Sequence, residues 1–140
     1  MKRFPQDLDL SYLLGRQLTS IGIDQFSLRL FLNAEVLSAD RRPSGILDNV
    51  VMDSAVFIGI GGSWTLTDQT GAIVDEWMEH FDRKSYQIHV LLGLKLLGYA
   101  VPSATTLTLQ FEKRFSLSIF DDSDMYETLQ IEYGKTRIVV

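Results

Sequence analysis

Two short stretches of the chain gather carboxylates around large apolar side chains, and these are the residues whose types and spacing could do chemistry. Asp75-Glu76-Trp77-Met78-Glu79-His80-Phe81-Asp82 sets four acids around Trp77, Met78 and Phe81. Asp121-Asp122-Ser123-Asp124-Met125-Tyr126-Glu127 sets four more beside Met125 and Tyr126. Carboxylates steer a basic protein toward a surface and fix its register, while aromatics supply buried contact. The candidate partner-binding set is therefore Asp75, Glu76, Trp77, Glu79, Asp82, Asp121, Asp122, Asp124, Tyr126 and Glu127. Neither stretch has the Asp spacing, central Gly and closing Glu of an EF-hand loop. The plainer reading of both is a pair of solvated loops.

Other constellations carry less. Gly59-Ile60-Gly61-Gly62 lacks the Lys of a P-loop and leads into a strand-like segment rather than a helix. It is expected to be a bulge or tight bend where a side chain would not fit. His80 and His89 lie nine residues apart, outside any zinc-ligand spacing. No Ser sits in a G-x-S-x-G context, and neither Ser63 nor Ser103 has a neighbour that would activate it. The chain is read as non-catalytic, with no metal and no cofactor.

Composition narrows the classes further. The 140 residues carry 13 Lys and Arg against 18 Asp and Glu, a net charge of -5, with both halves of the chain acidic. No basic tail or stripe exists to track a phosphate backbone, so no nucleic-acid partner is expected. Cysteine is absent, which removes disulfides and thiolate chemistry. The N-terminus has no sustained apolar run, and Val50–Gly62 is too short and broken to span a bilayer. The expectation is a cytoplasmic protein with no membrane association. Hydrophobic residues at 46% and charged residues at 22% fit one soluble domain over residues 1–140.

The elements that must position the acidic stretches come as an internal repeat, roughly residues 10–74 and 88–140. Leu13-Leu14-Gly15-Arg16-Gln17-Leu18 is matched by Leu91-Leu92-Gly93-Leu94-Lys95-Leu96. Downstream, Leu28, Leu30 and Leu32 alternate with Ser27, Arg29 and Phe31, as Leu107, Leu109 and Phe111 alternate with Thr106, Thr108 and Gln110. A period of two with one polar face marks half-buried antiparallel strands. Phe115, Leu117 and Ile119 continue the pattern after a tight turn at Lys113-Arg114. Tyr126–Tyr133 and Thr136–Val140 are further strands, and Glu35–Ala39 is a candidate third strand of the first copy. Asp24-Gln25 and Pro102-Ser103-Ala104 are the hairpin turns. Trp64–Leu66 and Tyr126–Ile131 are candidates for equivalent positions in the two halves. Helix is expected only as short leaders, at Leu8–Leu14 with Asp9 or Ser11 as cap, and at Ser85–Leu92 with Ser85 as cap.

The resulting fold class is mainly β with minor α: a pseudo-symmetric antiparallel barrel or sandwich built from two similar β units and one or two short helices. A barrel would leave room for a second function, small-ligand binding or minor enzymatic activity in a lumen, with Trp64, His89, Tyr99 and Tyr126 as the first residues to inspect. The apolar end of Thr136–Val140 leaves room for edge pairing into a homodimer.

At Leu14-Gly15 and Leu92-Gly93, at Leu28–Leu32 and Leu107–Phe111, and at Tyr126-Glu127, the chain resembles a group of small, largely uncharacterised bacterial proteins with a duplicated Leu-Gly and β-hairpin unit. Members of that group often have Gly where this chain has Lys113-Arg114. The resemblance implies no catalytic residues. Through the genomic company of some members, it implies an immunity protein that neutralises a toxin by binding it. A basic toxin such as a nuclease is then the expected partner.

Overall fold

The computed structural model describes residues 3–23, 27–33, 36–41, 47–52, 56–77, 86–122 and 127–140, with backbone alone for 33, 36–41 and 47–52. Its strands are β1 (Gln17–Ile23), β2 (Leu28–Asn33), β3 (Val36–Arg41), β4 (Leu47–Met52), β5 (Val56–Ile60), β6 (Ser63–Thr67), β7 (Ile73–Glu76), β8 (Leu96–Ser103), β9 (Thr106–Phe111), β10 (Ser116–Phe120), β11 (Leu129–Tyr133) and β12 (Thr136–Val139). Two five-stranded antiparallel sheets form, ordered β1-β2-β5-β11-β12 and β8-β9-β10-β6-β7, with β3 and β4 paired separately. The architecture is a sandwich. Of the two expected forms, barrel or sandwich, the chain takes the second: the sheets do not close.

Alternation in the strands builds the core. Leu28, Ile60 and Leu129 stand in one cross-strand row, and Leu30, Ile58 and Ile131 in the next. The second sheet repeats this with Leu107, Ile119 and Trp64, then Leu109, Leu117 and Leu66. All are buried. Burying a side chain of this size contributes about 1.5–3 kcal/mol relative to leaving it exposed, so these inward rows dominate the stability of the sandwich.

The strand order shows how the repeat is used. β1, β2, β5, β6 and β7 correspond in sequence order to β8, β9, β10, β11 and β12. Each sheet takes three strands from one unit and two from the other, so the units exchange their last hairpins. Around Gln17 and Lys95, which form an isolated bridge, the hydrogen bonds are reciprocal. Gly15 N donates to Leu96 O at 2.7 Å and Gly93 N to Leu18 O at 2.8 Å; Leu18 N donates to Leu94 O and Leu96 N to Arg16 O, both at 2.9 Å. Gly15 and Gly93 sit at φ +82° and +85°, a conformation that costs other residues steric strain. Even the register shift recurs, between Leu18 and Ser20 in β1 and between Leu96 and Gly98 in β8.

The copies differ in their connections. Between β2 and β5 the first unit carries the β3–β4 hairpin, and the second has only the turn Glu112–Arg114. In that turn Lys113 and Arg114 both have φ near +60°. Pro102 lies within β8, an edge strand, at a register shift between Ala100 and Ser103, one of the few places a sheet accepts proline. The strand therefore reaches one residue beyond the expected turn start. Both expected helices are single 3-10 turns, Ser11–Leu13 and Ile88–Leu91. Each is stopped by the left-handed glycine two residues on, before an α-helical turn can propagate. Asp24-Gln25 and the Ser85 cap lie outside the described residues.

Candidate functional site

Strand direction brings the starts of the two acidic stretches together. β7 and β10 flank β6 and both run antiparallel to it. They therefore point the same way and deliver Glu76-Trp77 and Asp121-Asp122 to one end of the sandwich, about 10 Å apart at the usual strand spacing. β6 starts between them. Trp77 N donates to Trp64 O at 2.9 Å, and the Ser63 hydroxyl donates to the Asp122 carboxylate. Glu127, returning from the second stretch, lies against Gly61 with its carbonyl oxygen 2.5 Å from where a Cβ there would stand.

Gly61 and Gly62 are what allow this crossing. The chain passes from the first sheet to the second through them, and it re-enters the first sheet beside them at Glu127 and Thr128. Gly61 N donates to Thr128 O at 3.0 Å, while a Cβ on Gly62 would stand 2.6 Å from Phe120 O. The bend without room for a side chain, expected from the sequence, is the contact between the two crossovers.

Within the expected partner-binding set, two residues need correction. Asp75 is 3% exposed and Asp121 2%, so neither offers its carboxylate to a partner. Asp75 faces inward on β7, opposite Leu66. Its Oδ2 accepts from Gln87 N at 2.7 Å and Ile88 N at 2.8 Å, and its Oδ1 from Glu76 N at 2.8 Å. It thus ties the 3-10 turn Ile88–Leu91 to the sheet. Asp121 Oδ1 accepts from the Thr128 hydroxyl at 2.8 Å, tying the end of β10 to the start of β11. Its Oδ2 is buried with no hydrogen-bond partner among the described residues. Trp77 is half-buried and packs on the core. Glu76, Asp122 and Glu127 are exposed. Glu79, Asp82, Asp124 and Tyr126 lie outside the described residues.

The described residues proposed for a lumen, Trp64, His89 and Tyr99, do not converge. Trp64 is buried in the core, and Tyr99 reaches out toward Asp9 at 3.5 Å. His89 is exposed, with Nδ1 3.0 Å from Tyr86 O. Among the described residues no group of three His, Asp or Glu is placed to hold a metal ion, and no helix is long and apolar enough to cross a membrane.

One feature escaped the sequence reading. On the outer face of the first sheet, a groove of about 200 Å³ is lined by Arg29, Phe57, Gly59, Gln130 and Glu127. Its signal lay in the outward positions of β2, β5 and β11, which meet only once the register is known. Phe31 and Phe57 form a tilted ring pair beside it, centroids 5.3 Å apart.

No protein-family model, curated protein or solved structure matches the chain.

Proposed function

We propose that the protein is a non-catalytic binding module whose acidic end docks a basic protein. The observation that carries this reading is the parallel course of β7 and β10, which sets Glu76 and Asp122 at one end, with Glu127 beside the crossover. The support is three exposed carboxylates, Glu76, Asp122 and Glu127, at one end of a chain of net charge -5. Such an arrangement raises the encounter rate with a basic partner and disfavours acidic ones. The resemblance noted in the sequence makes the partner a basic toxin and the protein its immunity factor, acting in the cytoplasm. β12 is the outer strand of its sheet, so pairing between two copies is compatible with this role.

The experiment is affinity capture from the source cells at low and moderate salt, run in parallel with Glu76→Gln/Asp122→Asn/Glu127→Gln. The reading expects one basic protein held by the wild type, released as salt rises and not held by the triple variant. Equal capture by both forms would reject the acidic end as the site.

A further inference from the structure

We infer that the groove on the outer face of the first sheet receives a cationic side chain of the partner, arginine above all; this rests on the acidic-end reading and extends it. The outward positions form in-register rows. Gly22, Arg29, Gly59 and Gln130 make one, and Ser20, Phe31, Phe57 and Glu132 the next. The two glycines leave space that neighbouring side chains occupy lying flat. A Cβ at Gly22 would stand 3.2 Å from Arg29 Nε, so the guanidinium is laid over β1. A Cβ at Gly59 would stand 3.0 Å from Phe57 Cζ, so the phenyl ring is laid across β5.

The groove that results is polarised. Arg29 leans back toward β1 on one side, and Gln130 stands across Gly59 on the other, a wall that ends at Glu127 beside Gly61. Between them lie a glycine floor and an aromatic ring. A long cationic side chain fits this order, with its stem along the apolar floor, its head on the Glu127 carboxylate and a ring face nearby. The size agrees: about 200 Å³ suits one side chain and falls below the roughly 300–1,000 Å³ of ordinary small-molecule sites. Glu127 belongs both to this wall and to the acidic end, so a basic protein docked on that end has the groove within its footprint.

The test is an amide-resolved NMR titration of the full chain with N-acetyl-arginine amide and with its uncharged isostere, N-acetyl-citrulline amide. The arginine probe should shift Gly59, Gly61 and Gln130 saturably. Binding should weaken about threefold to fivefold for citrulline, and by a similar factor in Glu127→Gln, as for one exposed ion pair. Equal binding of the two probes, or no shift at the groove, overturns the inference. A hexa-arginine peptide separates this from the parent reading. Shifts at Glu76 and Asp122 without any at Gly59 would reject the groove and keep the acidic end. Failure of hexa-arginine to bind the wild type at low salt would reject the acidic end itself.

Discussion

Replacing Gly61 by alanine tests whether the crossing of the two chain segments holds the sandwich and its acidic end in place. The added Cβ would stand 2.5 Å from the Glu127 carbonyl oxygen, a backbone atom that cannot rotate away. One segment must retreat by at least half an ångström, and the 3.0 Å bond from Gly61 N to Thr128 O stretches with it. Overpacking of this kind costs about 1–3 kcal/mol, and the weakened hydrogen bond adds about 1 kcal/mol. The stiffer unfolded chain returns about 0.4–1 kcal/mol, so the net expected loss is about 2 kcal/mol. Gly71→Ala is the control, because Gly71 has φ +83° but nothing within 4 Å of its Cβ position. It carries only the left-handed penalty, about 1 kcal/mol before the same entropic return. Urea unfolding followed by tryptophan fluorescence reads both, since Trp64 lies in β6 beside the crossing. A Gly61→Ala loss no larger than that of Gly71→Ala would refute the close-crossing argument.

Three further outcomes follow from the described contacts. Asp75→Ala leaves three backbone N–H groups without their acceptor and should cost about 2–3 kcal/mol in urea unfolding; a loss under about 0.5 kcal/mol would show that it is not a structural cap. Lys113→Asn with Arg114→Gly relieves two left-handed residues in a tight turn and should stabilise by about 1 kcal/mol, whereas a lowered melting temperature would contradict the strain. The Tyr12 hydroxyl is buried without a partner, and burial, with the nearby Asp9 charge, raises its pKa above the ordinary 10.0. Because the fold favours the neutral phenol, this contribution is whole below pH 10 and is lost as pH rises through the raised value. Tyr12→Phe should be neutral to slightly stabilising at pH 7 and should flatten the alkaline fall in stability; an unchanged alkaline limb would contradict the assignment.

Much of the core was legible because alternation is local. Leu28, Leu30 and Leu32, like Leu107, Leu109 and Phe111, face inward as their period of two requires. The repeat was legible too, since Gly15 and Gly93 need the same backbone conformation for the same reciprocal bonds. The exchange of hairpins between sheets was not, because strand order depends on pairings between residues far apart in the chain. The same non-local logic hid the fate of the acidic residues. Asp75 looks like part of a solvated run, but its acceptors' partners, Gln87 and Ile88, arrive from the other unit. Ser85–Leu92 reads as a short helix in sequence, yet Gly93 turns the chain after a single 3-10 turn. The groove waited on register, since Arg29, Gly59 and Gln130 are neighbours only across strands.

The central claim is that Glu76, Asp122 and Glu127 form one docking end for a basic protein. The most direct test is the association rate of the captured partner with wild-type protein and with Glu76→Gln/Asp122→Asn/Glu127→Gln, at low and moderate salt. The on-rate should fall about tenfold or more in the variant at low salt, with the two forms converging as salt screens the charges. An on-rate that is the same for both forms at low salt would contradict it.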